Sequence, residues 1–358
     1  IFLNRNNISQ RTSSSPQTRM NFSLTDKHIE TAITLTNRIF PIIVLILATF
    51  GNSLCFLVFC RPKFQKRLTR TSSFCLRILC INDSILLYLF VIDILLKVYT
   101  DPSIRIYFSP VTCRVYKFIR YSFLDMSAYL QLGLTTDRFI CCVYSTYYAR
   151  WKKKNYLFYL LLAAAICILA KNLSFLSTLY GYSGKHKNRI VTKCSVIIEA
   201  KKFALYMAYG QSLIDVVFIT CIPFFLIVYF NSRILREVIR SRAQCWTTLT
   251  RLIHLTPGQT VVLTRHHAKN RRLHLTFALG CISFVFVLST APYKFFKVVE
   301  RMDKVDRDQE KHGASKTVHM QLAEMIFESL EYLSCSTPFF VCFTTSSMFR
   351  EELKHIFQ

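Results

Sequence analysis

Ionisable side chains stand here inside sequence oily enough for lipid. Asp83 lies within one long apolar run; Asp137 and Arg138 close another, LGLTTDRFICC over 132–142. In that second run Lys117, Arg120 and Tyr121 follow Cys113 at helical spacing, which puts them on one face, one and two turns below it. Asp93 and Lys97, Asp215, Lys294 and Lys297, and Glu324, Glu328 and Glu331 fall in or beside further apolar runs. Charge within a membrane span is expensive and by default functional. The chemistry these residue types support is ion pairing and recognition of a charged ligand. Catalysis is not indicated, since His266, His267 and His274 sit in a basic stretch without a carboxylate or cysteine partner at metal-ligand spacing.

Seven apolar runs must position these groups. They cover about 39–60, 72–96, 113–142, 156–180, 204–230, 275–299 and 318–343, and an amphipathic segment, 347–357, follows. A composition of 52% hydrophobic and 14% aromatic residues with only 8 glycines agrees with a membrane protein. Each run has the length of about 20 residues that a helix needs to cross the hydrocarbon core. Lipid offers the backbone no hydrogen bonds, so the runs are expected to be helices. The fold class is therefore an all-α membrane protein, a seven-transmembrane helix bundle with a short amphipathic eighth helix. No internal repeat or second domain is visible.

Basic residues orient the bundle, because cytoplasmic loops carry the excess. Residues 61–70 hold five without an acid, 150–154 hold four, and 231–272 hold nine against the single Glu237. These become the inner loops. Residues 1–38 are then an extracellular tail, 39–346 the membrane domain and 347–358 a cytoplasmic helix and tail. Asn7 and Asn21, each in an Asn-x-Ser triplet, become glycosylation candidates on the outer side. The first 38 residues are polar, so the first span is expected to direct insertion itself. The formal charge of +26 is mostly this loop signal and attraction to anionic membrane lipid, with no nucleic-acid partner expected. From Cys113 to Arg138, 25 residues at 1.5 Å each span about 37 Å, so the cysteine lies at the outer mouth and Asp137-Arg138 at the cytoplasmic interface.

Read in order, the spans resemble those of the rhodopsin-like G-protein-coupled receptors over about residues 35–357. Gly51-Asn52 stands in the first; Leu79-Cys80-Ile81-Asn82-Asp83 in the second is similar to that family's LxxxD, and Asp137-Arg138-Phe139 to its DRY. Pro223 lies in the fifth, Ala291-Pro292-Tyr293 resembles the end of CWxPY, Thr337-Pro338-Phe339-Phe340-Val341 occupies the NPxxY place, and Phe349-Arg350 opens the tail helix. The resemblance implies an extracellular ligand, a heterotrimeric G protein as partner and a plasma-membrane location. It implies activation and coupling roles for Asp137, Arg138, Phe139, Pro223, Phe286, Pro292 and Pro338. It also implies a Cys113–Cys194 bridge that pins the second outer loop, and a sodium ion at Asp83 and Ser127 with Asn52 in support. A protonated Asp83 bonded to its neighbours is the alternative there.

The sequence departs from the family at several places. Thr290 and Ser289 replace the Trp and Cys before the helix-six proline; Thr337 and Val341 replace the Asn and Tyr of NPxxY. Asn231 falls where helix five carries a Tyr, and Arg271 and Arg272 where helix six carries an acid. A non-signalling decoy therefore stays open beside a G-protein-coupled receptor. A seven-helix transporter would need inverted repeats or a continuous polar path, and neither is seen.

The ligand set read from the pocket face is Asp93, Lys117, Arg120, Tyr121, Asp215, Lys294, Glu328 and Glu331. Arg120 stands where amine receptors carry an acid, which implies repulsion of monoamines. Glu331 holds the place of the retinal lysine, which excludes retinal. Arg120 and Glu331 are expected to neutralise one another when the site is empty. Residues 189–198, RIVTKCSVII, alternate like a strand or hairpin lid, and Lys185, Lys187, Arg189, Lys193, Lys201 and Lys202 make the second outer loop basic. These features suit a neuropeptide with an anionic portion; a nucleotide or a lipid acid would satisfy the same charges. No cofactor is expected beyond the sodium ion.

Overall fold

The computed structural model describes residues 16–62, 70–99, 110–144, 147–148, 155–186, 189–196, 201–252, 279–300 and 318–358. Apolar length makes the helices, as expected. They are α1 (Pro16–Cys60), α2 (Arg70–Tyr99), α3 (Pro110–Val143), α4 (Tyr156–Asn172, extended by a 3-10 turn, Leu173–Leu176), α5 (residues 201–252), α6 (Leu279–Glu300), α7 (Val318–Ser334 and Thr337–Thr345) and α8 (Ser347–Phe357). A hairpin of β1 (Tyr180–His186) and β2 (Arg189–Val196), antiparallel with Tyr182 opposite Cys194, follows α4 and packs on α3. It is the lid that the alternation in residues 189–198 predicts.

Five of the helices are long and apolar enough to cross a membrane by composition: those over His28–Cys60, Thr71–Ile94, Tyr156–Leu176, Lys202–Arg240 and Leu279–Glu300. α3 falls short because it carries the interior charges, and α7 because it is broken in two. Large apolar side chains such as Ile46, Phe50, Tyr159, Leu213 and Phe225 point outward, the belt that lipid would cover. Among the described residues of α4, Tyr156–Asn172, only Ile168 and Asn172 are buried, so this helix packs by a narrow seam.

Three boundaries differ from the hydropathy reading. α1 starts at Pro16, a residue suited to a first helical turn, well before residue 39. α4 ends near Leu176, where the chain turns toward the hairpin. α5 runs on to Leu252, beyond the apolar run, because its inner part is amphipathic: Ile234 and Val238 are buried while Arg233, Arg236 and Arg240 face out.

The prolines are absorbed locally. Asp215–Cys221 widens to π-helical turns just before Pro223, and the chain turns at Cys335-Ser336 before Pro338 opens the second part of α7. Pro292 lies in α6 without a break between Leu279 and Glu300. Ser346 caps α8, its Oγ accepting from the Phe349 N–H at 3.2 Å.

Two cores hold the bundle. The inner one joins α1, α2, α3, α6, α7 and α8 through Val58, Phe59, Leu76, Leu134, Ile282 and Phe349; the outer one joins α1, α2, α3 and α7 through Ala48, Leu87, Phe90, Leu124 and Tyr332. Gly51 is where α1 and α7 approach closely: a Cβ there would stand 2.9 Å from Phe339 Cβ, an atom that cannot move without its backbone. Gly51→Ala is therefore expected to destabilise by about 1–3 kcal/mol. A thermal melt of the purified protein showing no loss would mean that α7 shifts freely against α1.

Candidate functional site

The outer half of the bundle holds two charge clusters. In the first, the buried Arg120 guanidinium on α3 donates from Nη1 to Asp93 Oδ2 on α2 at 3.2 Å, and from Nη2 to Glu328 Oε1 at 3.1 Å and to the hydroxyl of Tyr332, both on α7. A planar fork suits three acceptors on two helices, which a lysine could not span. Tyr332 stacks on Phe90, and Tyr293 Oη on α6 donates to the same Glu328 oxygen at 3.4 Å.

The second cluster centres on Asp125, two turns deeper than Lys117. Its carboxylate accepts from Lys171 Nζ of α4 at 2.6 Å, Lys294 Nζ of α6 at 3.4 Å and Asn172 Nδ2 at 3.1 Å. Lys171 also reaches Asp215 Oδ1 on α5 at 2.5 Å, so four helices meet at four charges. Nearer the mouth, Lys297 pairs with Glu300 at 3.0 Å and with Glu324. Lys117 lies over the Tyr121 ring, which stacks on Phe175. Among the described side chains Lys117, Arg120, Lys171, Lys294 and Lys297 stand against Asp93, Asp125, Asp215, Glu300, Glu324, Glu328 and Glu331, all buried or half-buried, and Arg114 at the mouth donates to the Thr178 carbonyl at 3.1 Å.

Glu331 is the exception to this pairing. It is 1% exposed, and neither carboxylate oxygen has a hydrogen-bond partner. The expected Arg120–Glu331 pair does not form, because Glu328, one turn nearer the mouth, takes the guanidinium instead.

Midway down, Ser127 Oγ donates to Asp83 Oδ1 at 2.8 Å and accepts from Asn82 Nδ2 at 2.6 Å. Asn52 is buried with neither amide atom bonded, so it does not support Asp83 by a direct bond. Thr337 Oγ1 donates back to the Leu333 carbonyl at 3.2 Å. A carboxylate, a hydroxyl and an unpartnered amide oxygen are donor types that fit a sodium ion, though the set is sparse.

At the cytoplasmic end Arg138 Nη2 lies 3.6 Å from Asp137 Oδ2, and Ser72 of α2 clasps both: its Oγ donates to Asp137 and accepts from Arg138 Nε at 2.9 Å. All three are buried. Phe139 stacks on Phe230 of α5 at 4.5 Å between ring centroids and packs with Ile234 and Val238. Higher up, Ser283 of α6 donates to Gln131 Oε1 of α3 at 3.2 Å, and Thr135 donates to Ser283 at 2.9 Å. Arg61, just past α1, reaches Glu352 of α8 at 3.4 Å.

The sequence matches the family described as 7 transmembrane receptor (rhodopsin family) over residues 51–340. The chain belongs to that family. It is thus a multi-pass plasma-membrane receptor and not an enzyme, with an extracellular ligand and a G protein as the partners the family implies. No curated protein matches the receptor.

Of the receptor's residues picked out by sequence, Asp93, Arg120 and Glu328 come together in one cluster, and Asp215 and Lys294 in the other. Lys117 and Tyr121 touch each other, and Glu331 stands apart. Phe286 and Pro223 line the chamber beneath. Cys113 is disulfide-bonded, and among the described residues eleven other cysteines form no disulfide. Asn7, Lys187, Arg271, Arg272 and the third outer loop lie outside the described residues, as do the side chains of Asn21, Lys97 and Cys194. Sequence reasoning missed Asp125, Lys171, Tyr332 and Ser72, and read Tyr293 only as part of the helix-six motif. For the first two the signal was present: an acid and a base deep in apolar runs.

Proposed function

We propose that this receptor binds an extracellular peptide through the outer charge clusters and signals to a heterotrimeric G protein through the Asp137-Arg138 edge of α3. In this reading the amino terminus is outside and the carboxyl terminus in the cytosol, with 1–38 as outer tail, 39–346 as membrane domain and 347–358 as inner helix. The partner of the disulfide-bonded Cys113 is, in this reading, Cys194 of β2, the pairing that the family resemblance implies. That bridge holds the hairpin over the pocket. A peptide carries both an acidic portion for the basic hairpin and further side chains for the mixed-sign clusters below. A sodium ion at Asp83 and Ser127 would favour the resting bundle.

The observation that carries the signalling half is the buried Ser72–Asp137–Arg138 clasp. A hydrogen bond to a charged group is worth about 1.5–3 kcal/mol. Ser72→Ala is therefore expected to raise basal guanine-nucleotide exchange by about tenfold. The direct test is exchange in membranes from cells expressing the chain, challenged with fractionated peptide extracts. Peptide binding without exchange would make it a decoy, and tracer uptake without a G protein would make it a transporter. Epitope tags at the two ends reached from the same side would overturn the topology.

A further inference from the structure

We propose that a chamber beneath the charge clusters takes a cationic group of the ligand, an alkylammonium or guanidinium, against the carboxylate of Glu331. The inference rests on the receptor reading for its ligand and names the chemistry of the part that goes deepest.

Glu331 lines an inner chamber whose other walls are mostly apolar, among them Leu124, Ile219, Pro223 and Phe286. Its two oxygens are buried and lack any donor. Buried polar atoms are nearly always bonded, and a carboxylate in apolar surroundings is among the costliest to leave alone. The nearby donors are committed elsewhere. Arg120 is spent on Asp93, Glu328 and Tyr332. Thr290, on the chamber wall, donates its hydroxyl to the Phe286 carbonyl at 2.9 Å. Lys294, on the same wall, pairs with Asp125 at 3.4 Å and acts on Glu331 through its field without a hydrogen bond.

A second chamber adjoins it: Leu124, Thr220 and Lys294 line both, and Arg120, Asp125 and Asp215 border the outer one. Asp125 and Asp215 thus stand at the outer chamber and Glu331 at the inner one, and each carboxylate favours a cation beside it. A lysine or arginine side chain has the matching form: an apolar stem for the walls and a charged head for Glu331. The basic hairpin and Glu331 thus select opposite ends of one peptide.

The test uses the purified full chain in detergent and four small probes of similar size at equal ionic strength: n-butylammonium, n-butylguanidinium, n-butyrate and n-butanol. The two cations are expected to raise the melting midpoint saturably, by about 2–4 °C, and the other two to leave it unchanged. Glu331→Gln should weaken the cation effect at least about tenfold. Thr290→Trp, which fills the chamber and keeps the carboxylate, should abolish it, so the test survives if the first variant does not fold. Lys294→Met should strengthen cation binding by removing a competing ammonium. A butyrate shift equal to that of the cations, or a cation shift that persists in Thr290→Trp, overturns the proposal; so does a Lys294→Met variant in which the cation effect is lost. No peptide or G protein enters this measurement, so its failure and the failure of the signalling reading are separate results.

Discussion

Replacing Asp125 by leucine is expected to lower the melting midpoint of the empty receptor by at least about 6 °C. Asp125 is 2% exposed and accepts from two ammonium groups and one amide. Without it, Lys171 keeps one of its two carboxylates, Asp215, and Lys294 loses the carboxylate it pairs with, in a region of low dielectric. Breaking a buried ion pair by removing one partner costs about 3–5 kcal/mol, because the remaining charge has lost its counterion but not its desolvation. The leucine cannot replace any of the three bonds. Lys171→Met alone should also destabilise, leaving two carboxylates and one ammonium. The double variant, Asp125→Leu with Lys171→Met, removes one charge of each sign. It should be less destabilised than the sum of the single changes by about 1 kcal/mol or more. Losses that simply add would mean the four charges do not act as one network.

Such a network ties α3, α4, α5 and α6 together in the outer half, while Ser72 ties α2 to α3 at the inner face. Between them α5 has its π-helical turns and α7 its break at Cys335-Ser336. A bundle clasped at both ends and interrupted in the middle can exchange one set of pairings for another without unfolding a helix. The polar contacts of Gln131, Thr135 and Ser283 lie between the two clasps, joining α3 to α6.

The seven spans and α8 were legible because lipid imposes a length and an apolar content that sequence records directly. α5 beyond Phe230 was not, since a search for apolar runs is blind to an amphipathic helix whose buried stripe, Ile234 and Val238, is flanked by arginines. Most of the charged residues of the site could also be named from sequence, but not their partners. Glu328 and Glu331 are three residues apart, about 4.5 Å along the helix. That one turn decides which of them meets Arg120, and helical spacing fixes the face of a helix but not its depth against a neighbour. Asp125 and Lys171 went unread for a related reason: each looks isolated in its own span, and only the packing of α3 on α4 makes them a pair. Ser72 carries no signal at all in a run of serines and threonines at the start of α2.

Arg120→Met is expected to lower the midpoint of the empty receptor by at least about 4 °C, with Arg120→Lys in between. Methionine approximates the stem and removes the fork, so Asp93 and Glu328 lose their shared cation and the hydroxyl of the fully buried Tyr332 loses its partner. The expected loss is smaller than for Asp125 because Asp93 and Glu328 keep 22% and 25% of their side-chain surface exposed, where water at the mouth can screen them. Lysine restores the charge but, with one ammonium, cannot serve acceptors on α2 and α7 at once. Adding Glu328→Gln to Arg120→Met should recover part of the loss, since one of the stranded charges is then gone. A residue that only waits for ligand would leave the empty receptor's midpoint untouched and alter peptide response alone. An unchanged melt in Arg120→Met would therefore mean that water already satisfies both carboxylates, and it would return Arg120 to the role of a free anchor for an acidic group.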